Sequence, residues 1–203
     1  MTNQVEVATK EVIERAAVDS IFFGDVFFPK TFRQSSPPFH AELFSDLDNR
    51  RARYIDFIVF RGGSKTSILR VFTAKRVGYT TSRTILYVGS SQVHSIRSVR
   101  WLRKQIEKNK LFADTFRLKK GGKWTDELIE IYSEIADATI TVIAVGITGD
   151  TRGVNVDDYR PDLIIVDDPL TDENALTEDQ RDKVKRQLHG ALRNSLAPAT
   201  ENP

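Results

Sequence analysis

The sequence predicts an α/β protein whose mostly parallel sheet is covered by helices on both faces. Apolar runs rich in β-branched residues alternate with segments whose apolar side chains recur every three or four residues. The chain has 203 residues, 40% of them hydrophobic, which is enough for the core of one large domain. It contains no Cys, which excludes a disulfide scaffold, a thiolate zinc site and a Cys nucleophile.

The first part of the chain is predicted to be helical. Apolar spacing predicts helices over 5–18 and 39–47, separated by a proline-containing loop. Residues 54–60 are apolar and β-rich and predict a buried strand, and a helical stretch follows to about residue 75. We expect residues 1–50 to form a helical segment packed on a core made by residues 51–203.

The middle of the chain alternates between the two patterns. Residues 84–88 predict a strand, and residues 92–108 predict a strongly amphipathic helix. A turn is expected at Gly121-Gly122. Residues 127–132 and 139–145 then predict two paired strands.

The last part of the chain predicts one more strand and one more helix. Residues 162–169 predict a buried strand that reaches the edge of a sheet, in which four apolar residues, 163–166, are followed by two acids. Thr177 and Gln180 have the spacing of a capping box, which predicts a helix that starts there and reaches about residue 195.

Charge is distributed unevenly along the chain, although the net charge is only +2. Residues 65–123 hold 15 Lys and Arg against two acids, a net +13, whereas residues 124–203 hold 7 against 17, a net −10. This asymmetry indicates a surface that binds a polyanion and a region that handles cations. The alternative is that the blocks interleave in the fold, so that their charges mix on the surface.

The composition also restricts location and metal chemistry. No apolar run approaches the roughly 18 residues of a membrane span, and the N-terminus lacks a signal-peptide core. The three histidines, at positions 40, 94 and 189, are scattered and predict no metal cluster. We expect a soluble intracellular protein with no membrane partner.

The strongest candidate site directly follows the strand predicted at 54–60. Its glycines would let backbone N–H groups approach a phosphate, its lysine would reach the β- and γ-phosphates, and the next threonine would offer a hydroxyl to Mg²⁺. The match to the standard P-loop pattern is imperfect, because Val59 and Ser64 stand where glycines are expected. The candidate nucleotide-binding residues are Arg61, Gly62, Gly63, Ser64, Lys65, Thr66 and Ser67.

Two acids near the end of the strand predicted at 162–169 form a second candidate site. Asp167 is placed to hold Mg²⁺, and Asp168 could polarise an attacking water. The alternative is a buried strand that leaves the sheet through an acidic turn ended by Pro169. The combination with a phosphate loop in one α/β domain favours nucleotide hydrolysis.

Two arginines could act on the phosphates. Arg61 lies four residues before Lys65, where it could reach a γ-phosphate, although an ion pair with an acid at the sheet edge is an equal alternative. Arg152 lies between Gly149 and Gly153 on a predicted loop, as expected of an arginine that contacts the nucleotide of a neighbouring subunit. From the residues alone, a solvated turn is the simpler interpretation of Arg152.

A basic stripe marks the helix predicted at 92–108. Its residues recur at spacings of three, four and four, so they share one helix face and could follow a phosphate backbone without reading bases. The scarcity of acids nearby in the sequence favours a polyanion or an acidic protein as partner over a solvated, salt-bridged face. The basic stripe consists of Arg97, Arg100, Lys104 and Lys108.

Together these segments resemble the ATPase domain of the large terminase subunit, the DNA-packaging motor of tailed bacteriophages. The likeness covers nearly the whole chain, and the degenerate phosphate loop with its arginine is a feature of that family. The matching segments are the Pro-Phe-His helix before the strand predicted at 54–60, residues 60–66, residues 85–89, Trp124-Thr125, residues 151–153 and residues 161–169.

The resemblance implies a P-loop NTPase fold of the RecA-like (ASCE) type, with ATP and Mg²⁺ as cofactors. It implies that Lys65 and Thr66 bind phosphates and Mg²⁺ and that Asp167 completes the metal site. Arg61 would sense the γ-phosphate from within the loop, and Arg152 would act across a subunit interface.

Two further roles follow from the same resemblance. Asp168 occupies the place where many relatives carry a catalytic Glu, and its side chain is one methylene shorter. Glu173 on the following loop is a possible substitute as the residue that activates water. The adenine-binding region of the family lies before the phosphate loop, which makes Gln34 a candidate.

The resemblance also implies partners and further parts. Double-stranded DNA would be the substrate, the full-length protein would form a homo-oligomeric ring on a portal protein with a small terminase subunit, and the host-cell cytoplasm would be the location. A coupling strand and a C-terminal nuclease domain would follow the chain. We therefore expect no nuclease activity and weak hydrolysis by isolated subunits.

Three alternatives stay open. The chain could belong to another P-loop DNA translocase of the helicase-like type. It could be a nucleic-acid-binding module whose phosphate loop is inactive. The basic stripe could contact the portal, the small subunit or the nuclease domain instead of DNA.

Overall fold

The structure is a computed structural model of the chain, and it describes most of its residues. The candidate residues Gln34, Arg152 and Glu173 lie outside them. The described residues are 7–31, 35–147, 160–170, 176–192 and 195–197.

Three helices precede the lysine-containing loop: α1 (Lys10–Val18), α2 (Ser20–Phe27) and α3 (Pro38–Asp48). The first and third agree with the helices predicted from apolar spacing. Helix α2 lies where the sequence predicted a loop. Asp19 caps its N-terminus, since the Asp19 carboxylate accepts a hydrogen bond from the Phe22 N–H at 2.9 Å. Five of its eight residues are large and apolar, and they lie around most of the helix, so the sequence shows no clear helical period.

Five strands in the described residues form one mixed sheet with the order β2-β3-β4-β1-β5. Strands β1 and β4 are parallel, as are β1 and β5, whereas β2, β3 and β4 pair antiparallel. The prediction of a mostly parallel sheet is therefore wrong. Short connections between β2, β3 and β4 permit only antiparallel pairing. The strands are β1 (Thr84–Gly89), β2 (Leu118–Trp124), β3 (Leu128–Ser133), β4 (Ala138–Gly146) and β5 (Leu163–Asp167).

The strand predicted at 54–60 is also wrong. This segment belongs to no strand in the part of the chain that the structure describes, and Ile58 and Phe60 are exposed. The composition is that of a buried strand, but a strand also requires a neighbouring backbone with which to pair. Strand β5 lies at the edge of the sheet, with β1 as its neighbour.

The turn predicted at Gly121-Gly122 is wrong, because both glycines lie within β2. The register between β2 and β3 shifts between Lys120 and Trp124. A Cβ atom at Gly121 would lie 2.7 Å from the carbonyl oxygen of Glu130. The glycine therefore allows two strands to approach closely at an irregular point of the ladder.

The remaining helices connect or follow the strands. The capping box at Thr177 is confirmed, since both reciprocal hydrogen bonds with Gln180 are present. The helix predicted to reach residue 195 ends earlier, at Arg186, and continues as a π-helical segment over Gln187–Leu192. These helices are α4 (Lys65–Gly78), α5 (Gln92–Lys108), α6 (Lys110–Thr115), which lies directly after α5, and α7 (Glu178–Arg186).

The α/β prediction is confirmed by the way in which β1 divides the core. Ile85 and Tyr87 face a large cluster that includes residues of α1 to α6. Leu86 and Val88 face a smaller cluster that includes Val184 of α7 and the π-helical segment. Helices therefore cover both faces of the sheet. None of the helices in the described residues combines the length and the apolar character that crossing a membrane requires.

A buried polar contact fixes α4 against the N-terminal helices. The Lys75 Nζ donates to the Ser20 Oγ at 2.7 Å and to an Asp48 carboxylate oxygen at 2.9 Å. Because a buried ammonium requires such partners, the three side chains hold α2, α3 and α4 in one arrangement. Helix α4 begins at the candidate phosphate loop, so this contact helps to position that loop.

Candidate functional site

Three elements bring the predicted site residues together at one edge of the sheet. Strands β1 and β5 run parallel, and Gly89 at the end of β1 lies opposite Asp167 at the end of β5. Helix α4 begins at Lys65 beside the same edge, because Lys65 and Thr66 contact the last residue of β5 and the acid that follows it. Ligands of open α/β sheets usually bind at this carboxyl edge of the parallel strands.

The loop before α4, residues 60–65, which we call the lysine loop, is a tight turn. The Gly63 N–H donates to the Phe60 carbonyl oxygen at 3.1 Å. A Cβ atom at Gly63 would lie only 2.4 Å from the Val59 Cγ1, so the turn is too tight for a side chain there. Ser64 has φ 61° and ψ 22°, a left-handed conformation that glycine adopts more easily. The backbone at position 64 therefore favours glycine, the residue that the standard P-loop pattern has there and that this sequence lacks.

The first pair of predicted residues is joined by an ion pair. The Lys65 Nζ donates to the Asp168 Oδ1 at 2.8 Å. Solvent screening is strong here, because the Asp168 side chain is 62% exposed and the Lys65 side chain 33% exposed. Such an exposed contact is weak enough for a phosphate to replace Asp168 as the partner of the lysine.

The second pair lies deeper. The Thr66 Oγ1 donates to the Asp167 Oδ1 at 3.2 Å, and the Tyr87 hydroxyl donates to the Asp167 Oδ2 at 3.2 Å. Burial raises the pKa of Asp167 above its usual range, the hydrogen bonds from Thr66 and Tyr87 lower it, and the nearby charge of Asp168 raises it. A carboxylate that is costly to keep charged and is held by two hydroxyl groups suits a site where a cation supplies the compensating charge.

The donor set fits Mg²⁺. This ion prefers oxygen ligands and is usually held by one or two carboxylates together with substrate phosphates and water. Thr66 and Asp167 would hold it, since their oxygens already meet. In the part of the chain that the structure describes, no group of three or more His, Asp and Glu side chains is arranged to hold a metal. Phosphate and water would therefore have to complete the coordination.

His40 and Tyr87 are site residues that sequence reasoning missed. The His40 side chain, which is buried in α3, contacts the Gly63 carbonyl oxygen at 3.3 Å, and the Phe39 ring packs on that of Phe60 at 5.4 Å between centroids. These contacts tie α3 to the lysine loop. The sequence shows the Pro-Phe-His segment only as part of a resemblance and Tyr87 only as a strand residue. No local pattern predicts contacts between residues so distant in sequence.

The other predicted residues have less defined places. Arg61 is exposed in the lysine loop, and Ser67 is half-buried in the first turn of α4. Their predicted roles stay predictions.

The basic stripe is exposed along α5, as predicted from its spacing, but it is not free of acids. Arg100 and Arg103 both donate to the Asp126 carboxylate, the latter at 2.8 Å. The pKa of Asp126 is lowered, chiefly by the hydrogen bond from Arg100. The acid comes from the connection between β2 and β3, which lies outside the basic block of the sequence.

The same hairpin neutralises other basic residues. Lys119 pairs with Glu134, and Lys123 pairs with Glu130 at 3.7 Å. The scarcity of acids near the basic stripe was thus a property of the sequence and not of the folded surface. The salt bridges within the described residues do not include the other three members of the stripe, Arg97, Lys104 and Lys108.

Neither a protein-family model nor a curated protein sequence matches this chain.

Proposed function

We propose that the chain is a Mg²⁺-dependent ATPase domain, the motor of a terminase large subunit that drives double-stranded DNA into a procapsid. One observation carries the proposal: the two residues that begin α4, Lys65 and Thr66, contact the last residue of β5 and the acid that follows it. Residues separated by about a hundred positions meet in the pairing that a phosphate loop and a metal-binding strand require.

The chemistry assigned to each residue follows from its place. Lys65 would exchange Asp168 for the β- and γ-phosphates of ATP, and the backbone N–H groups of the lysine loop would surround them. Bound Mg²⁺ would neutralise the charge of the phosphates and of the transferred group. Asp168, released from Lys65, would accept a hydrogen bond from the attacking water. Arg61 in the same loop would contact the γ-phosphate.

Several parts of the proposal come from the resemblance alone. Arg152 would act on the nucleotide of a neighbouring subunit, Glu173 is a second candidate for activating water, and Gln34 is a candidate for binding adenine. A homo-oligomeric ring on a portal protein, a small terminase subunit as partner and the cytoplasm of the host cell complete the setting.

The test of hydrolysis compares turnover and nucleotide binding in variants of the acid pair (Asp167 and Asp168). Asp167→Ala should lose turnover and the Mg²⁺-dependent part of ATP binding, because it removes the only proposed carboxylate ligand. Asp168→Asn should bind ATP as well as wild type while losing turnover by about 10²-fold or more, as expected of a residue that acts on the attacking water. Unchanged turnover in both variants would refute the hydrolytic site.

Protein concentration gives an independent test of the assembly. If Arg152 acts between subunits, turnover should rise faster than linearly with the concentration of the chain, and Arg152→Ala should remove this excess. Strictly linear turnover, identical in both proteins, would place the complete active site within one subunit.

A second candidate is a nucleic-acid-binding module that does not hydrolyse ATP. The exposed stripe members that form no salt bridge in the described residues, Arg97 and Lys104 among them, favour this function. Binding to double-stranded DNA should then fall steeply with salt, and each lost phosphate contact should reduce the slope of log K against log salt by about 0.9.

The matched variants for this test are Arg97→Ala, Lys104→Ala and Lys10→Ala. The first two should flatten the salt dependence, whereas Lys10, an exposed lysine of α1 paired with Glu14, should not contribute. If ATP does not change the affinity for DNA and the chain does not turn ATP over, the results favour the binding module over the motor. Unchanged DNA affinity in both stripe variants would instead favour a protein partner.

A further inference from the structure

Two routes of side-chain contacts lead from α4 to Asp167. The direct route is the hydrogen bond from Thr66 to its Oδ1 at 3.2 Å. The second begins one helical turn later at Arg70, whose Nε donates to the Ser98 Oγ of α5 at 3.1 Å. Ser98 lies beside the Tyr87 hydroxyl, which donates to the Asp167 Oδ2 at 3.2 Å. The two routes end on the two oxygens of one carboxylate.

The second route has a defined direction. An arginine can only donate, so Ser98 accepts from Arg70 and has its own proton free for Tyr87. The Tyr87 hydroxyl is the donor in its hydrogen bond with Asp167, because an ionised carboxylate can only accept. Ser98 and Tyr87 are 4% and 2% exposed, so water cannot easily replace either of them.

We propose that Tyr87 and Ser98 are positioning residues that hold the Asp167 carboxylate in the orientation needed to bind Mg²⁺. With Oδ2 occupied by Tyr87, the carboxylate cannot rotate freely, and Oδ1 stays beside the Thr66 hydroxyl. Residues that orient a metal-binding carboxylate in this way commonly change metal affinity about 10- to 100-fold when they are removed. The inference rests on the proposed function, because it assumes that Asp167 holds the metal.

The test measures binding of the non-hydrolysable analogue AMP-PNP with Mg²⁺ and with EDTA in the full chain. Tyr87→Phe removes only the hydroxyl and keeps the buried ring. We expect its binding in EDTA to match wild type and the extra affinity given by Mg²⁺ to fall about tenfold or more. Tyr79→Phe is the matched control, since its hydroxyl donates to the Ile13 carbonyl oxygen at 2.6 Å, away from Asp167.

A double variant tests the order of the route. Ser98→Ala alone should reduce the Mg²⁺-dependent affinity, but it should add nothing when Tyr87 is already Phe, because Ser98 acts through Tyr87. Denaturant unfolding of all variants separates a loss of stability from a loss of orientation. A merely structural role predicts that Tyr87→Phe and Tyr79→Phe lose stability alike and both keep the wild-type dependence on Mg²⁺, and this result would overturn the proposal.

Asp167→Asn distinguishes failure of this inference from failure of the proposed function. If Asp167→Asn loses the Mg²⁺-dependent affinity and Tyr87→Phe keeps it, the positioning role is wrong and the metal site stands. If the AMP-PNP affinity of Asp167→Asn depends on Mg²⁺ as that of wild type does, the metal site is wrong. The positioning role is then wrong as well.

Discussion

At the scale of single residues, Ser64 sits in a backbone conformation that costs a residue with a side chain about 1 kcal/mol relative to glycine. Ser64→Gly should therefore be more stable than Ser64→Ala by about that amount, because alanine keeps the strain and glycine relieves it. Denaturant unfolding of the two variants measures the difference. Equal stability would show that the lysine loop does not hold position 64 in the left-handed region.

Asp162 makes stability depend on pH. It precedes β5 and accepts hydrogen bonds from the backbone N–H groups of Arg83 and Thr84 at 2.6 and 3.3 Å. Burial raises its pKa above the usual range, and the two hydrogen bonds only partly oppose this. The folded chain therefore holds the proton of Asp162 at pH values where the unfolded chain has released it.

The sign of the effect follows from proton linkage. As the pH rises from about 4 through the raised pKa, the contribution of Asp162 to the free energy of unfolding decreases, because the folded state binds more protons than the unfolded state. The stability of Asp162→Asn relative to wild type should thus increase from about pH 4 to about pH 7. Denaturant unfolding at both pH values measures this, and a relative stability that falls with pH would contradict the assigned shift.

At the scale of elements, the structure differs most clearly from the sequence-based prediction in the segment 54–60. Ile58 is fully exposed, whereas Ile165, in the middle of β5, is 4% exposed. Ile58→Ala should change the free energy of unfolding by no more than about 0.5 kcal/mol, because almost none of the apolar surface of the Ile58 side chain is buried in the folded chain. Ile165→Ala should cost about 2–5 kcal/mol, as expected of a buried isoleucine.

The two isoleucine variants are each other's control, because they make the same chemical change in similar apolar runs. If Ile58→Ala destabilised the chain as much as Ile165→Ala does, residues 54–60 would be a buried strand as the sequence predicts. A small change would confirm that the run is exposed.

Local signals predicted some elements well. The strand at β1, the amphipathic helix α5, the pairing of β3 with β4 and the capping box at Thr177 follow from periodicity and capping over a few residues. Features that depend on distant partners were not predictable in this way. Residues 54–60 show how a β-rich composition predicts a strand even where none of the described strands pairs with it. Asp126 shows how an acid distant in sequence can neutralise Arg100.

The candidate site shows the same division. The sequence identified both contact pairs, Lys65 with Asp168 and Thr66 with Asp167, because the phosphate loop and the acidic strand end are recognisable patterns. Tyr87 and His40 could not be found, since their contacts with Asp167 and Gly63 join residues that lie 80 and 23 positions apart in the sequence. Such contacts depend on the register of β1 with β5 and on the packing of α3.

At the scale of the whole molecule, the uneven charge of the sequence becomes partly balanced. The hairpin of β2 and β3 brings Asp126, Glu130 and Glu134 to basic residues of the +13 block. The basic and acidic blocks of the sequence therefore mix their charges on this part of the surface, as the alternative interpretation predicts. At the sheet edge, in contrast, Lys65 of the basic block meets Asp168 of the acidic block, and this contact defines the candidate site.

The central claim is that Lys65 binds the phosphates of a nucleotide. Calorimetric titration of the chain with Mg²⁺ and AMP-PNP tests it most directly, with Lys65→Ala compared with Lys10→Ala, which removes an exposed lysine of α1. Wild type and Lys10→Ala should bind with the same affinity, and Lys65→Ala should bind at least about tenfold more weakly, since it loses the ammonium that contacts the β- and γ-phosphates. Equal affinity in all three proteins would contradict the nucleotide-binding site.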